Sequence, residues 1–145
     1  TDGPRIAVME VGGMDSHANQ KSMLTTRLRQ LTDTIVSLKD GLAGAWSQTA
    51  VVLITEFGRT VAGNGTGGSD HGTASAAMLL GGAVAGGRVL TDWPGLIDRH
   101  DDRDLRITTD LRSVLSGVLS DHLGMAGADI FPGSPAPLQG LIRPA

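Results

Sequence analysis

The sequence predicts a single α/β domain, because short apolar runs of strand length alternate with long amphipathic helical patterns. At 145 residues the chain is long enough for one domain with its own core and too short for two. Glycine contributes 21 residues without a low-complexity repeat, which indicates many tight turns and close backbone approaches. Because a strand pattern begins by residue 6, we expect the chain to be a piece of something longer.

The first half of the chain contains the pattern of a strand, a long helix and a second strand. Residues 6–11 are short, apolar and followed by two glycines, which predicts a strand. A stripe of branched apolar residues then recurs every three or four positions and predicts a helix, with Asn19 as its cap and Gly41 and Gly44 near its end. Residues 49–57, TAVVLITEF, are typical of a strand buried on both faces. The helical stripe consists of Leu24, Leu28, Leu31, Ile35, Leu38 and Leu42. Together the two strands and the helix between them predict a right-handed βαβ unit.

The second half begins with a glycine-rich loop over residues 58–72. Residues 75–83 predict a third strand, with a short helix as the alternative, and residues 86–106 are irregular. Residues 109–123 predict a second amphipathic helix, and the proline-containing tail after residue 126 is expected to lie on the surface. The helix is expected to bury Leu111, Val114, Leu115, Val118, Leu119 and Leu123 and to end at Gly124.

Composition argues against several classes of protein. The formal net charge is −3 and no basic stripe is present, so nucleic acid is not an expected partner. No apolar run approaches the roughly 18 residues that a membrane span needs. Cysteine is absent, which excludes disulfides and thiolate metal ligands.

Polar residues cluster where the predicted strands begin or end. Asp15 and His17 follow the first strand, Glu56 closes the second, and Asp70 and His71 precede the third. If the third strand runs antiparallel to the second, all of them share one edge of the sheet. The connection from residue 57 to residue 75 shows no helix, which disfavours a parallel crossover and favours the antiparallel arrangement.

These residue types match a divalent metal site. Asp15 and His17, two positions apart, point to the same side of an extended backbone, and a carboxylate with imidazoles suits zinc or a similar ion when thiolates are absent. The alternatives stay open: Asp15 could cap a turn, His17 could bond a carbonyl, and Asp70 or Ser69 could cap the loop. His71 is favoured over Asp70 as a ligand, with Asp70 orienting a partner.

Three further features have simpler interpretations. Glu56 could ligate a metal or form an ion pair with Arg59. His100 is expected in a solvated loop, and His122 in the last turn of a helix, where its charge complements the dipole. The run from Gly63 to Gly68 contains G-x-G-x-x-G but does not open a helix directly after a strand, so nucleotide binding is not expected. Neither a G-x-S-x-G elbow nor a cysteine nucleophile is present.

Two stretches together resemble the bacterial family called domain of unknown function 1501, which is assigned to the alkaline phosphatase and sulfatase superfamily. They are GGMDSHANQ and EFGRTVAGNGTGGSDHGTASAAMLLGGAVAGG, and the tail FPGSPAPLQGLI extends the likeness. The resemblance implies a three-layer α/β/α fold whose mixed, mostly parallel sheet includes one antiparallel strand. Residues 1–145 would then be the C-terminal part of a larger alkaline-phosphatase-like domain.

The resemblance also implies site residues and chemistry. Asp15, His17 and His71 match the ligands of one metal ion and Glu56 a ligand of a second, with Asp70 and Arg59 supporting them. The metal would be zinc, with manganese, calcium or magnesium as alternatives. It would act on phosphate or sulfate esters, either small molecules or polymers.

Departures from the superfamily pattern limit that expectation. Phe57 stands where a second-metal histidine is usual, D-x-H replaces D-x-x-x-H, and the nucleophile would lie outside this chain. We therefore expect the fragment to be inactive alone. The alternative is a degenerate relative that binds a partner or polymer without catalysis. Family members commonly carry export signals, which implies a periplasmic or exported location, and an uncovered sheet edge would favour self-association.

Overall fold

A computed structural model of the chain describes residues 3–144, apart from the side chain of residue 128. Two long helices and a short one accompany four short strands. In chain order these are α1 (Gln20–Leu42), a 3₁₀ helix (Ala43–Gln48), β1 (Val51–Leu53), β2 (Gly58–Arg59), β3 (His71–Gly72), β4 (Met78–Leu80), α2 (Leu111–Leu123) and α3 (Gly127–Ile130). Within this described range, every helix is too short or too polar to cross a membrane. The predicted α/β class is confirmed.

The strands pair in two separate antiparallel ribbons. β1 pairs with β4, with Val52 opposite Leu79, and β2 pairs with β3, with Arg59 opposite His71. The prediction that the third strand of the sequence pattern runs antiparallel to the second is therefore confirmed. Among residues 3–144 the strands form only these two two-stranded sheets, so a mostly parallel sheet is not part of the described fold.

The predicted first strand over residues 6–11 is wrong. This segment has no regular structure, and all of its residues are exposed, with Val8 92% accessible. An apolar run becomes a strand only when a neighbouring strand forms backbone hydrogen bonds with it. Among residues 3–144, no strand pairs with residues 6–11. Because this strand is missing, the predicted βαβ unit is not formed either.

Helix α1 occupies the predicted range but is held differently at its start. Asn19 sits at the N-cap position in the left-handed region (φ 49°), and its side chain does not cap the helix. Instead the backbone N–H groups of Asn19 and Gln20 donate to the carbonyls of Thr66 and Gly67 in the glycine-rich loop. None of the helix residues is buried, and Leu28 on the predicted apolar stripe is 49% exposed.

The core lies between α2, the β1–β4 ribbon and the C-terminal tail. Val84, Val118, Leu141 and Ile142 are its buried apolar residues. The tail was expected to lie on the surface, and this is wrong: Ala85 donates to the Leu141 carbonyl and Arg143 to that of Ala83. The apolar pair at positions 141 and 142 enters the core because this backbone pairing aligns it there.

Helix α2 ends as predicted, before Gly124, but it begins at Leu111 rather than at residue 109. The Asp110 carboxylate accepts from the Arg112 N–H at its start, and Gly124 closes it in the left-handed conformation. Its most buried face differs from the prediction, because it is made of Ser113, Ser116, Gly117 and Val118. A methyl group on Gly117 would lie 2.0 Å from the Leu138 carbonyl oxygen, so small residues let the tail approach. Leu111, expected inside, is 37% exposed.

The charged turn over residues 99–104 is only partly the solvated loop that the sequence indicates. His100 is exposed as expected, but Asp104 is 1% exposed. Arg103 donates to both oxygens of the Asp104 carboxylate at 2.9 and 3.1 Å, which satisfies the buried charge. Asp104 also forms an antiparallel bridge with Thr60, so this turn lies beside β2. His122 lies in the last turn of α2, as predicted.

Candidate metal centre

Three side chains from distant parts of the sequence meet at one point. The ligand atoms of Asp15, His17 and His71 all lie within 4.8 Å of one another. His71 Nε2 lies 2.9 Å from Asp15 Oδ1 and 3.2 Å from His17 Nε2, and His17 Nε2 lies 3.3 Å from Asp15 Oδ1. Two imidazole nitrogens and a carboxylate oxygen therefore form a nearly equilateral triangle.

Arg59 holds together the two segments that carry these ligands. Its guanidinium donates to the Ser16 carbonyl at 3.1 Å and to the Ser69 carbonyl at 3.0 Å. It also donates to Asp15 Oδ1 at 2.8 Å. Because Arg59 lies in β2 directly opposite His71 in β3, the β2–β3 ribbon places the guanidinium and the His71 imidazole at the same point.

His17 is oriented by a second carboxylate. Its Nδ1 lies 3.2 Å from Asp70 Oδ1. An ionised carboxylate can only accept, so this contact requires the proton of a neutral His17 to be on Nδ1. The lone pair on Nε2 then faces Asp15 and His71. A carboxylate bonded to the far nitrogen of an imidazole is the arrangement that usually accompanies metal-binding histidines.

His71 is oriented by an aromatic ring. The Phe57 ring stacks on the imidazole with centroids 3.9 Å apart and planes 16° from parallel. The two imidazoles themselves are tilted by 38° at 4.8 Å. Phe57 thus packs against the His71 imidazole and limits its orientation.

Both carboxylates of the site are held in their charged form. The pKa of Asp15 is lowered, first by its hydrogen bond with His71 and then by that with Arg59. The pKa of Asp70 is lowered, first by a hydrogen bond from Asn64 and then by that with His17. Ionised carboxylates are what metal ligation and imidazole orientation both need.

The donor triangle is slightly tighter than the ligand set of a bound zinc ion. Zinc binds imidazole nitrogen and carboxylate oxygen at about 2.0–2.2 Å in tetrahedral sites, which places neighbouring ligand atoms about 3.3–3.6 Å apart. The observed edges are 2.9, 3.2 and 3.3 Å. The same contacts also suit a metal-free cluster in which His71 Nε2 donates to Asp15. Binding experiments distinguish the two.

The triangle is open to solvent on one side. The side chains of His17, Asp15 and His71 are 50%, 53% and 46% exposed. Catalytic zinc sites keep such an open position for water or substrate, whereas structural sites are closed by a fourth protein ligand.

The predicted site residues therefore divide into two groups. Asp15, His17 and His71 come together, and Asp70 and Arg59 contact them. Glu56 is exposed and lies outside the group that could hold one ion, and the alternative pairing with Arg59 is not formed because Arg59 bonds Asp15 instead. Its assignment to a second metal stays a prediction.

Sequence reasoning missed one important residue, Asn64. Its side chain contacts both the His17 backbone and the Asp70 carboxylate, at 2.9 and 3.1 Å. The only signal in the sequence is its place between two glycines of the G-x-G-x-x-G run.

The fold and these contacts define an α/β protein with a candidate metal centre. The model of the family described as "Protein of unknown function (DUF1501)" matches residues 1–128, and the chain belongs to this family. The resemblance to that family is thereby confirmed. Comparison with curated proteins gives no match, and neither does comparison with solved structures.

Proposed function

We propose that Asp15, His17 and His71 bind a divalent metal ion, best matched by zinc, and that the protein is a metal-dependent hydrolase of phosphate or sulfate esters. The observation that carries the proposal is the donor triangle, with edges of 2.9, 3.2 and 3.3 Å. Its open side supports a role beyond structure, because a substrate oxygen could approach there.

Each residue has a defined task in this proposal. Asp15, His17 and His71 hold the ion, Asp70 keeps the His17 proton on Nδ1, and Arg59 fixes the two ligand segments. A bound ion would polarise the ester and lower the pKa of the attacking hydroxyl. Glu56 would serve a second ion, as the superfamily pattern implies.

The finer architectural and cellular expectations belong to the same proposal. They are a three-layer alkaline-phosphatase-like fold with a mixed sheet, small-molecule or polymeric ester substrates, and a periplasmic or exported location. The antiparallel pairing of β1 and β4 supports the fold, because a reversed strand is part of it. The location rests on the family resemblance alone.

A non-catalytic binding role is the second candidate, and exposed apolar surface favours it. Val8 is 92% and Ile97 is 97% exposed, in segments 6–11 and 89–97 that both contain several large apolar residues. Surfaces of this kind often mark contacts with other proteins, and the short ribbons leave strand edges unpaired, which also favours self-association.

Metal binding and turnover test the proposal directly. We expect one zinc ion per chain by calorimetry and metal analysis, lost in His71→Ala and retained in His100→Ala. His100 is a matched control, because its side chain is 51% exposed against 46% for His71. Zinc-dependent hydrolysis of an aryl phosphate or aryl sulfate would support the hydrolase. Because this chain is expected to be inactive alone, turnover is measured with the complete alkaline-phosphatase-like domain. Absence of metal binding would overturn the proposal, and metal binding without turnover by the complete domain would favour the second candidate.

A further inference from the structure

The glycine-rich loop over residues 63–68, which has no role in the proposed chemistry, is joined to the candidate metal centre. Its central side chain is Asn64, whose amide oxygen accepts from two backbone donors within the loop. These are Thr66 N and Gly68 N, both at 3.0 Å. The amide nitrogen is therefore free to donate outside the loop. It does so to the His17 carbonyl at 2.9 Å and to Asp70 Oδ1 at 3.1 Å.

The loop also contacts the His17 backbone at close range. Thr66 Oγ1 donates to the His17 carbonyl at 2.7 Å, so that this oxygen accepts from two side chains of the loop. A methyl group on Gly68 would lie 2.3 Å from the same oxygen, which leaves room for glycine only. By contrast, a methyl group on Gly65 would meet nothing within 4 Å.

We infer that the 63–68 loop is the positioning element of the metal centre, and that Asn64 is its positioning residue. This inference rests on the proposed metal site. Asn64 fixes Asp70 and the His17 backbone together, so that the Asp70 carboxylate meets His17 Nδ1 and His17 Nε2 faces the other two ligands. The lowered pKa of Asp70, to which the Asn64 hydrogen bond contributes most, agrees with this arrangement.

The variant Asn64→Asp isolates positioning from folding. An aspartate keeps an oxygen to accept the two backbone N–H groups of the loop, but it cannot donate to His17 or Asp70, and it places a second negative charge beside Asp70. Gly65→Ala is the matched control in the same loop. Thermal unfolding of the metal-free proteins checks that both variants fold.

Two readouts test the inference, and one of them needs no metal. In metal-free protein, imidazole ¹⁵N shifts at a pH where His17 is neutral should show the proton on Nδ1 in the wild type and Gly65→Ala. In Asn64→Asp the population with the proton on Nε2 should rise. An unchanged tautomer in Asn64→Asp would overturn the inference, as would a wild type protonated on Nε2.

The second readout is zinc affinity by calorimetry with zinc alone. We expect a loss of about 10–100-fold in Asn64→Asp, as for other groups that orient metal ligands, and no loss in Gly65→Ala. Equal affinity of Asn64→Asp and wild type would overturn the positioning role while leaving the metal site intact. If the wild type binds no zinc, the proposed function fails, and the tautomer measurement alone decides whether Asn64 positions His17.

Discussion

Replacing Arg59 by methionine should lower the free energy of unfolding far more than an ordinary surface substitution does. Methionine keeps most of the apolar stem and removes the guanidinium. The side chain of Arg59 is 22% exposed, so its bonds are partly shielded from water. What is lost is the link between the Asp15–His17 segment and the segment that precedes His71.

The magnitude follows from the individual contacts. The bonds to the Ser16 and Ser69 carbonyls, at 3.1 and 3.0 Å, are each worth about 1.5 kcal/mol, the lower value for a charged donor. The ion pair with Asp15 adds little, because the Asp15 side chain is 53% exposed and solvent screens the pair. The contact with the Met14 carbonyl at 3.4 Å is too long to count. The expected loss is thus about 3 kcal/mol of unfolding free energy.

Urea and thermal unfolding of metal-free protein measure this loss. About 3 kcal/mol corresponds to a fall in melting temperature of about 10 °C for a chain of this size. The matched control is Arg29→Met on α1, where the wild-type arginine is exposed and forms no hydrogen bond or ion pair with residues 3–144. It should change stability by less than about 0.5 kcal/mol.

A double-mutant cycle separates the hydrogen bonds from Arg59 to the two carbonyls from its ion pair with Asp15. Combining Arg59→Met with Asp15→Asn should give a coupling energy that is only a small part of the loss in Arg59→Met, because most of that loss comes from the carbonyl bonds. If Arg59→Met lowers the free energy of unfolding no more than Arg29→Met does, the contacts of Arg59 do not stabilise the fold. If the coupling energy accounts for the whole loss, the stabilisation comes from the ion pair and not from the carbonyl bonds.

Three other predictions concern single sites. Ser16→Ala should raise the unfolding free energy by about 1 kcal/mol in urea titrations, because Ser16 Oγ is buried without a hydrogen-bond partner among residues 3–144. A loss of stability in this variant would contradict the absence of a partner. Gly117→Ala should lower the unfolding free energy by about 1–3 kcal/mol, because its methyl group would overlap the Leu138 carbonyl. Gly41→Ala on exposed α1 should raise it by up to about 1 kcal/mol. Equal effects of the two substitutions would contradict the packing of the tail against α2. Lowered pKa values of Asp15 and Asp70 stabilise the folded state above their ordinary value of 3.8, so the unfolding free energy should fall as the pH drops from 3.8 through the folded values. Asp70→Asn should flatten that decline, and an unchanged slope would refute the role of Asp70.

Local patterns in the sequence predicted the helices and the strand direction well. The apolar stripe of α1 and the Gly124 signal of α2 depend on contacts within a few residues, which periodicity and capping rules describe directly. Residues 6–11 have equally strong strand propensity, but their pairing partner cannot be inferred from their own sequence. The burial of Leu141 and Ile142 was missed for the same reason, since it depends on the backbone of residues 83–85.

For the site, residue chemistry was more informative than connectivity. Asp15, His17 and His71 could be singled out because few other residue types ligate metals in a chain without cysteine. The contacts of Asn64 and Phe57 could not, because an amide and an apolar ring carry no metal chemistry of their own. Only their positions in the fold connect them to the ligands.

The structure also changes the reason why these ligands converge. In the predicted arrangement, the antiparallel third strand, which corresponds to β4, brings His71 to the edge where the second strand, β1, ends. That pairing exists, yet His71 is placed by the separate β2–β3 ribbon, only two residues long on each side. So short a ribbon has little stability of its own. The geometry of the site must then depend on Arg59 and Asn64, the two side chains that join its loops, so the candidate metal centre is supported more by hydrogen bonds than by the sheet.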